Sequence, residues 1–298
     1  MAQGNAASEL AEFADILKLK EPLAPYTLFK MGGPAEAMVQ PRTVAELAAV
    51  VRRCCERKLP LRILGAGCSV LVRDEGVPGV VLRLNGPPFT DIVAQGRRLR
   101  VGCGASVGAL IAAAARHGLT GLEHLVGMPG SVGGAVRLNI GDRAGEIGQF
   151  VQSVVILDSQ GHVQTRERDD LSFAHRTSNL DDPVLLTAEF ELETDNTDAI
   201  VKRLRKAWIL RKASHPFSYQ AATRMFKNPS GLSAAALIEQ AGLVGTKVGG
   251  AQVNDRDANY VVVEPGSSAR DVLRLLELVR SQVLDQAKVE LEQEITVW

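Results

Sequence analysis

Two glycine-dense segments and one short basic segment carry the chemistry legible in this chain. The first, Leu64-Gly65-Ala66-Gly67-Cys68-Ser69, follows an apolar stretch beginning at Leu61. Glycines in such a place let the main chain turn with positive φ and approach a ligand closely, and consecutive exposed amides cradle phosphate oxygens. The segment is not a Gly-x-Gly-x-x-Gly fingerprint and no long helix follows at once, so a nicotinamide-type dinucleotide fold is not supported. Taken alone it reads equally well as a tight structural turn. The second segment is Gly127-Met128-Pro129-Gly130-Ser131-Val132-Gly133-Gly134-Ala135-Val136, followed by Asn139 and Gly141. Five glycines within fifteen residues cost conformational entropy, which favours ligand contact over a purely structural loop. The third is Arg224-Met225-Phe226-Lys227-Asn228-Pro229. Lys227 and Asn228 suit anionic oxygens through charge-assisted hydrogen bonds, although Asn228-Pro229 equally shapes a turn. Arg224 is a guanidinium, a poor proton donor by its chemistry.

These segments need elements to hold them. Thr43-Val44-Ala45-Glu46 has the form of a capping box and opens a helix to about Arg57, with Leu47, Val50, Val51 and Cys54 along one face. Strands are expected at Leu61 to Leu64 and Val80 to Leu84. Gln95-Gly96-Arg97 joins a hairpin, and Ser159-Gln160-Gly161 joins a second one between Val154 to Leu157 and Val163 to Arg166. Ser106 caps a helix that ends at Gly118, and Val184 to Glu193 alternates as a half-exposed strand does. Asn196-Thr197-Asp198 opens a long basic helix ending near Lys212. Beyond it lie a helix around Ala234 to Ala241, a strand Tyr260 to Val263, a helix Ala269 to Gln286 and a final strand from Val289. The first ~20 residues read as a loosely attached helix, a length of about five turns. Without a regular βαβ rhythm the chain is expected to be α+β rather than doubly wound.

The bulk numbers set limits. The 298 residues are enough for two or three lobes. Lys plus Arg is 34 and Asp plus Glu is 34, so no global field draws in nucleic acid or an anionic membrane. Any anionic ligand is held by local groups. No apolar run approaches the ~20 residues that span a bilayer, and Met1 to Glu12 lacks a basic-then-apolar export pattern. Cys54, Cys55, Cys68 and Cys103 form no paired Cys-x-x-Cys set, so no structural metal is expected. Few cysteines and no export pattern fit the cytoplasm, and nothing demands more than a monomer. The basic run from Lys202 to Lys206 lacks interleaved aromatics and reads as a solvated helix face, not a nucleic-acid site. His124 and His175, near the glycine loops, read more simply as packing or hydrogen-bonding residues than as catalysts.

Taken in order, the motifs resemble the UDP-N-acetylenolpyruvoylglucosamine reductase family (UDP-N-acetylmuramate dehydrogenases), in its compact form, over about Tyr26 to Thr296. Tyr26 to Ala35 resembles the family's opening motif. Leu64 to Asp74 resembles its Leu-Gly-x-Gly-Ser-Asn-Leu-Leu-Val segment, and Gly127 to Asn139 its second flavin loop. Phe226-Lys227-Asn228-Pro229 and Gly249-Gly250-Ala251-Gln252-Val253 are close matches, and Leu291-Glu292-Gln293-Glu294 is similar to the terminal Leu-Glu-Pro-Glu.

The resemblance implies a two-lobed FAD-binding region of the vanillyl-alcohol-oxidase (PCMH) type plus a C-terminal α/β substrate lobe. The corresponding boundaries are an N-terminal segment 1–20, an FAD region 21–197 with lobes of about 21–86 and 87–197, and a substrate domain 198–298 whose last strand returns to the FAD region. It implies that NADPH reduces FAD and departs, and that the UDP-sugar enolpyruvyl ether then takes the hydride at its vinyl terminus, in peptidoglycan precursor synthesis. It places the flavin against Gly65, Ala66, Gly67, Cys68 and Ser69 and against Gly127, Met128, Pro129, Gly130, Ser131, Gly133 and Gly134. It places the substrate against Asn139, Ser178, Lys227 and Asn228. Arg176, in His175-Arg176-Thr177-Ser178, matches the arginine that stabilises charge growing on the substrate carboxylate. Glu294 matches the family's acid: protonated, it bonds the enol; ionised, it orients Arg176.

This chain departs from the pattern where the family places serine or cysteine as proton donor; that position is Arg224. Thr223 is adjacent, but a one-residue shift along an extended segment turns a side chain to the opposite face. Cys68-Ser69 stands for Ser-Asn, Asp257 for a histidine, Gln293 for the terminal proline, and Asn139-Ile140-Gly141-Asp142-Arg143-Ala144 for Asn-Ala-Gly-Ala-Tyr-Gly. Three readings follow. One is a reductase in which Glu294 or water supplies the proton and Arg224 grips the carboxylate. The others are a flavoenzyme with another substrate, and a non-catalytic FAD- or nucleotide-binding protein.

Overall fold

Serine caps and apolar stripes set the helices of this chain, and the computed structural model describes them over residues 6–214 and 221–298. The chain forms two units. The first comprises residues 1–21, 36–66 and 78–209, the second 22–35, 67–77 and 210–298. Neither unit is contiguous in sequence. Two early stretches, 22–35 and 67–77, belong with the C-terminal part.

A four-stranded sheet, all but residues 22, 34, 35 and 77 of it in the first unit, runs in the order Leu17–Pro22, Pro34–Val39, Val77–Leu82, Leu61–Ile63. The helix Val44–Glu56 buries Leu47, Val50, Val51 and Cys54 in one core with Val80, Leu82 and Phe89. The capping box at its start is only half made. Thr43 Oγ1 accepts from Glu46 N at 3.1 Å, but the Glu46 carboxylate takes the Arg42 amide and guanidinium, both at 2.7 Å. The N-terminal helix is corrected too. A short helix, Ala6–Glu9, and a 3₁₀ segment, Ala11–Ile16, lead into the strand Leu17–Pro22. Ala6, Leu10 and Ile16 are buried in the same core, so the segment is anchored by apolar contacts and not loosely attached. Met1 to Asn5 of that expected helix lie outside the described residues.

A second sheet in this unit is five-stranded and antiparallel, in the order Val163–Glu167, Val151–Leu157, Val184–Glu191, Arg98–Gly102, Ile92–Gln95. Both expected hairpins are present. Alternation does its work on the central strand, where Ala188 and Phe190 face the core and Thr187, Glu189 and Glu191 are half-exposed. The helices Val107–Arg116 and Val132–Arg137 bury Val107, Leu110, Ile111, Val132, Ala135 and Val136 in one cluster with Leu99, Val101 and Phe190. Ser106 caps the first of them, accepting from Ala109 N at 3.0 Å.

The second unit has a four-stranded antiparallel sheet in the order Ala221–Arg224, Tyr260–Val263, Ala251–Val253, Lys247–Val248. The helix Ala269–Ala287 buries Val272, Leu275, Leu276, Val279 and Val283 in one core with Val253, Val261 and Phe226. Its capping box is complete between Ser268 and Asp271, and the Asp74 carboxylate accepts from Ala269 N at 3.0 Å, where the helix dipole favours negative charge. The expected C-terminal strand is much shorter than Val289 onward: only Thr296–Val297, parallel to Val70–Leu71. Mixed sheets and interspersed helices make the fold α+β.

Candidate active site

The two glycine segments meet within the first unit. Gly65 follows Leu61–Ile63, and a Cβ added there would lie 2.3 Å from Ser131 Oγ. A side chain at 65 would collide with the Ser131 hydroxyl, so glycine there lets the two loops approach closely, as a diphosphate cradle requires. Ser131 caps Val132–Arg137, its Oγ accepting from Gly134 N at 3.4 Å. The loop is pinned from behind: Val132 N donates to Ala105 O, Gly133 N to Cys103 O (both 2.8 Å), and Val107 N to Gly130 O at 3.0 Å. Gly130 has φ +153, open to glycine and strained for other residues. Met128 packs against the unit's core. Burial pushes the Cys103 thiol up to about 12, so the sulfur behind the loop stays protonated. A rigid cradle of this kind, built from glycines and the Ser131 hydroxyl, fits the diphosphate of FAD.

Arg176 stands on the same unit. The strands Phe173–Ala174 and Thr177–Ser178 pair with Ala174 opposite Thr177, so His175 and Arg176 are the two turn residues of a hairpin. Arg176 has φ +58, where glycine or asparagine is usual. Its Nε is buried, and among the described residues its guanidinium has no hydrogen bond or ion pair. A buried guanidinium N–H without a partner is unfavourable unless an acceptor completes it.

Two residues expected at the substrate are held differently. Asn139 is 1% exposed with its side chain spent internally: Nδ2 donates to Ala174 O at 2.9 Å and to Glu146, and Oδ1 accepts from Gly148 N at 2.9 Å. Ser178 Oγ donates to Arg137 O at 2.8 Å. Both bonds tie down the hairpin that carries Arg176. Glu146 adds a third tie through Oε1 to His175 Nδ1 at 3.2 Å.

The second unit gathers the remaining positions. Gly67, Cys68 and Ser69 lie here, apart from Gly65 and Ala66 by the division of units. Thr223 Oγ1 donates to Cys68 O at 2.8 Å, and Thr296 N to Ser69 O at 2.9 Å. Burial pushes the Cys68 thiol up to about 11, leaving it protonated at neutral pH. The segment after Ala221–Arg224 is matched against the C-terminal stretch: Glu294 N donates to Met225 O and Lys227 N to Glu292 O, both at 2.8 Å, and Phe226 bridges Gln293. Glu294 is half-buried beside Met225. The Lys227 ammonium is in contact with the Glu292 carboxylate. Asn228 is exposed, and its Oδ1 accepts from Ala234 N at 3.1 Å, at the start of Ala234–Gln240.

Arg224 sits directly opposite Tyr260, with its guanidinium carbon 5.9 Å from the ring centroid. Its Nε is buried, and among the described residues the guanidinium has no hydrogen bond or ion pair. One residue that holds this region went unread in the sequence. Asn259, 1% exposed, accepts from Phe226 N at 3.0 Å and donates to Phe226 O at 2.7 Å, while its own carbonyl accepts from Met225 N at 2.8 Å. The signal available was Ala258-Asn259-Tyr260, in register with the family's Ala-Asn-Phe.

Comparison with known proteins covers nearly the whole chain. Residues 35–166 match the model of an FAD binding domain, and 215–298 match that of the UDP-N-acetylenolpyruvoylglucosamine reductase C-terminal domain. The chain is 38% identical to the UDP-N-acetylenolpyruvoylglucosamine reductase of Heliobacterium modesticaldum, over 93% of this chain and 89% of that one. It is 33% identical to the protein of the same name from Rhodopirellula baltica, over 95% and 93%. The crystal structure of UDP-N-acetylenolpyruvylglucosamine reductase from Thermus caldophilus superposes with a TM-score of 0.81 at 34% identity, covering 95% of this chain and 98% of that one.

Proposed function

Because this chain belongs to the UDP-N-acetylenolpyruvoylglucosamine reductase family, we infer that it reduces UDP-N-acetylglucosamine enolpyruvate to UDP-N-acetylmuramate at the expense of NADPH. FAD, when bound, supplies the hydride transfer between the two. The glycine cradle of the first unit, Gly65 with Gly130, Ser131, Gly133 and Gly134, holds its diphosphate. Hydride addition to the vinyl terminus pushes the π electrons toward the carboxylate, and the carbon beside the ether oxygen then takes a proton.

The observation that carries this reading is Arg176. A guanidinium with a buried Nε, without a partner and held at φ +58 is a receptor for the carboxylate charge that grows in the transition state. Asn139, Ser178, Glu146 and His175 keep its hairpin rigid. In the second unit Arg224 carries neither the hydroxyl nor the thiol of the family's proton donor, and the Thr223 hydroxyl is spent on Cys68 O. Glu294, or a water, therefore delivers the proton to carbon. Among the described residues no helix is long and apolar enough to cross a membrane; a cytoplasmic enzyme working on soluble precursors fits this.

The test is anaerobic NADPH oxidation by FAD-loaded protein, with and without the enolpyruvyl substrate. Substrate-dependent oxidation is expected; a flavin-loaded protein indifferent to substrate would sink the reading. Gly65→Val places a side chain where the loops touch. It is expected to weaken FAD retention at least tenfold, read from flavin-to-protein absorbance after gel filtration, an estimate from one lost diphosphate contact. Full flavin stoichiometry in that variant would remove the cradle from the cofactor's site.

A further inference from the structure

We propose that Arg224 is a substrate-binding residue that grips an anionic oxygen group of the sugar nucleotide, its carboxylate or its diphosphate. The proposal rests on the reductase reading. Three observations carry it. The guanidinium has no hydrogen bond or ion pair among the described residues, and its Nε is buried. It lies over the Tyr260 ring, directly across the sheet, a contact that steadies the planar group and leaves its N–H fork unspent. The nearby cation, Lys227, is already neutralised by Glu292, and so is less available to an incoming anion. Arg224 is thus the uncompensated positive charge of the segment that Asn259 holds in place.

The same observations explain how the position can do without an acid. A planar fork fixes a carboxylate or phosphate in two parallel bonds and constrains rotation as a hydroxyl cannot. Arg224 therefore contributes orientation in the ground state, and the proton comes from another group.

The test is binding of three nucleotides to the oxidised, FAD-loaded enzyme, which cannot turn over: UDP, UDP-N-acetylglucosamine and UDP-N-acetylmuramate, followed by calorimetry or flavin absorbance. Arg224→Met is expected to weaken binding about 10- to 100-fold, as for a lost charged hydrogen-bond pair. A loss confined to UDP-N-acetylmuramate assigns the carboxylate; an equal loss for all three assigns the diphosphate. Arg224→Lys, which keeps charge without the fork, is expected to lose an intermediate factor. Either variant, folded by its thermal transition, with unchanged affinity for all three overturns the proposal and leaves the reductase reading standing. A wild type that binds none of them overturns both.

Discussion

Replacing Arg176 with methionine is expected to slow the reoxidation of reduced flavin by substrate about 10²- to 10³-fold, the loss typical of one fixed donor to a developing oxyanion. Reduction of the flavin by NADPH should change little, because no carboxylate charge grows in that half-reaction. The two halves are separable by anaerobic stopped flow at the flavin absorbance. The length of methionine preserves much of the packing, and the turn tolerates the change, since residue 176 keeps a side chain at φ +58. A KM effect alone, with kcat intact, would mean that Arg176 only binds the ground state. An equal slowing of both halves would point to damage in the cofactor region instead.

The second large effect is structural and comes from an uncharged, buried residue. Asn259→Leu removes both partners of Phe226, whose amide and carbonyl lie in a buried place. Each orphaned backbone group costs about 1–3 kcal/mol, so the loss is roughly 2–6 kcal/mol, a lowering of the thermal midpoint on the order of 10 °C in a chain of this size. Asn259→Asp keeps the acceptor for Phe226 N and loses the donor to Phe226 O, and should fall between. Reductase activity should fall with stability in both, because Phe226 lies between Met225 and Lys227, which meet Glu294 and Glu292. A leucine variant within about 0.5 kcal/mol of wild type, the usual range for an incidental surface site, would show that Asn259 is not the clasp.

Much of this molecule was legible where local rules dominate. Ser106 before Val107, Leu110 and Ile111 reads directly as a capped helix, and the hairpin at Gln95-Gly96-Arg97 follows from its turn. Legibility failed where distant segments decide. Leu17–Pro22 is a strand because Pro34–Val39 is there to pair with it, and 22–35 and 67–77 join the C-terminal unit through partners far along the chain. Glu46 completed a capping box on paper but found a nearer donor in Arg42 N. At the candidate site, the glycine segments, Arg176 and Arg224 stand out by residue type and motif. That Asn139 and Ser178 spend their polar atoms on the hairpin was not visible, since a sequence does not show which hydrogen bonds are already made. Asn259 was overlooked because a single asparagine carries no chemistry until its neighbours are known.

The interleaving of the second unit bears on how the chain comes off the ribosome. Thr223 reaches Cys68 across 155 positions and Ala269 reaches Asp74 across 195. Segments 22–35 and 67–77 are made early and must wait for strands made much later. The residues of the first unit, by contrast, have all been synthesised once Ile209 has emerged. Closing such long loops slows folding, since their entropy is lost before the contacts form. Nascent protein thus passes through a stage in which the first unit can be folded while Phe29, Met31 and Leu71 lack the core that will cover them. With flavin held by the glycine cradle as proposed, its early binding would stabilise the first unit during that interval by mass action, making cofactor supply a determinant of yield as well as of activity.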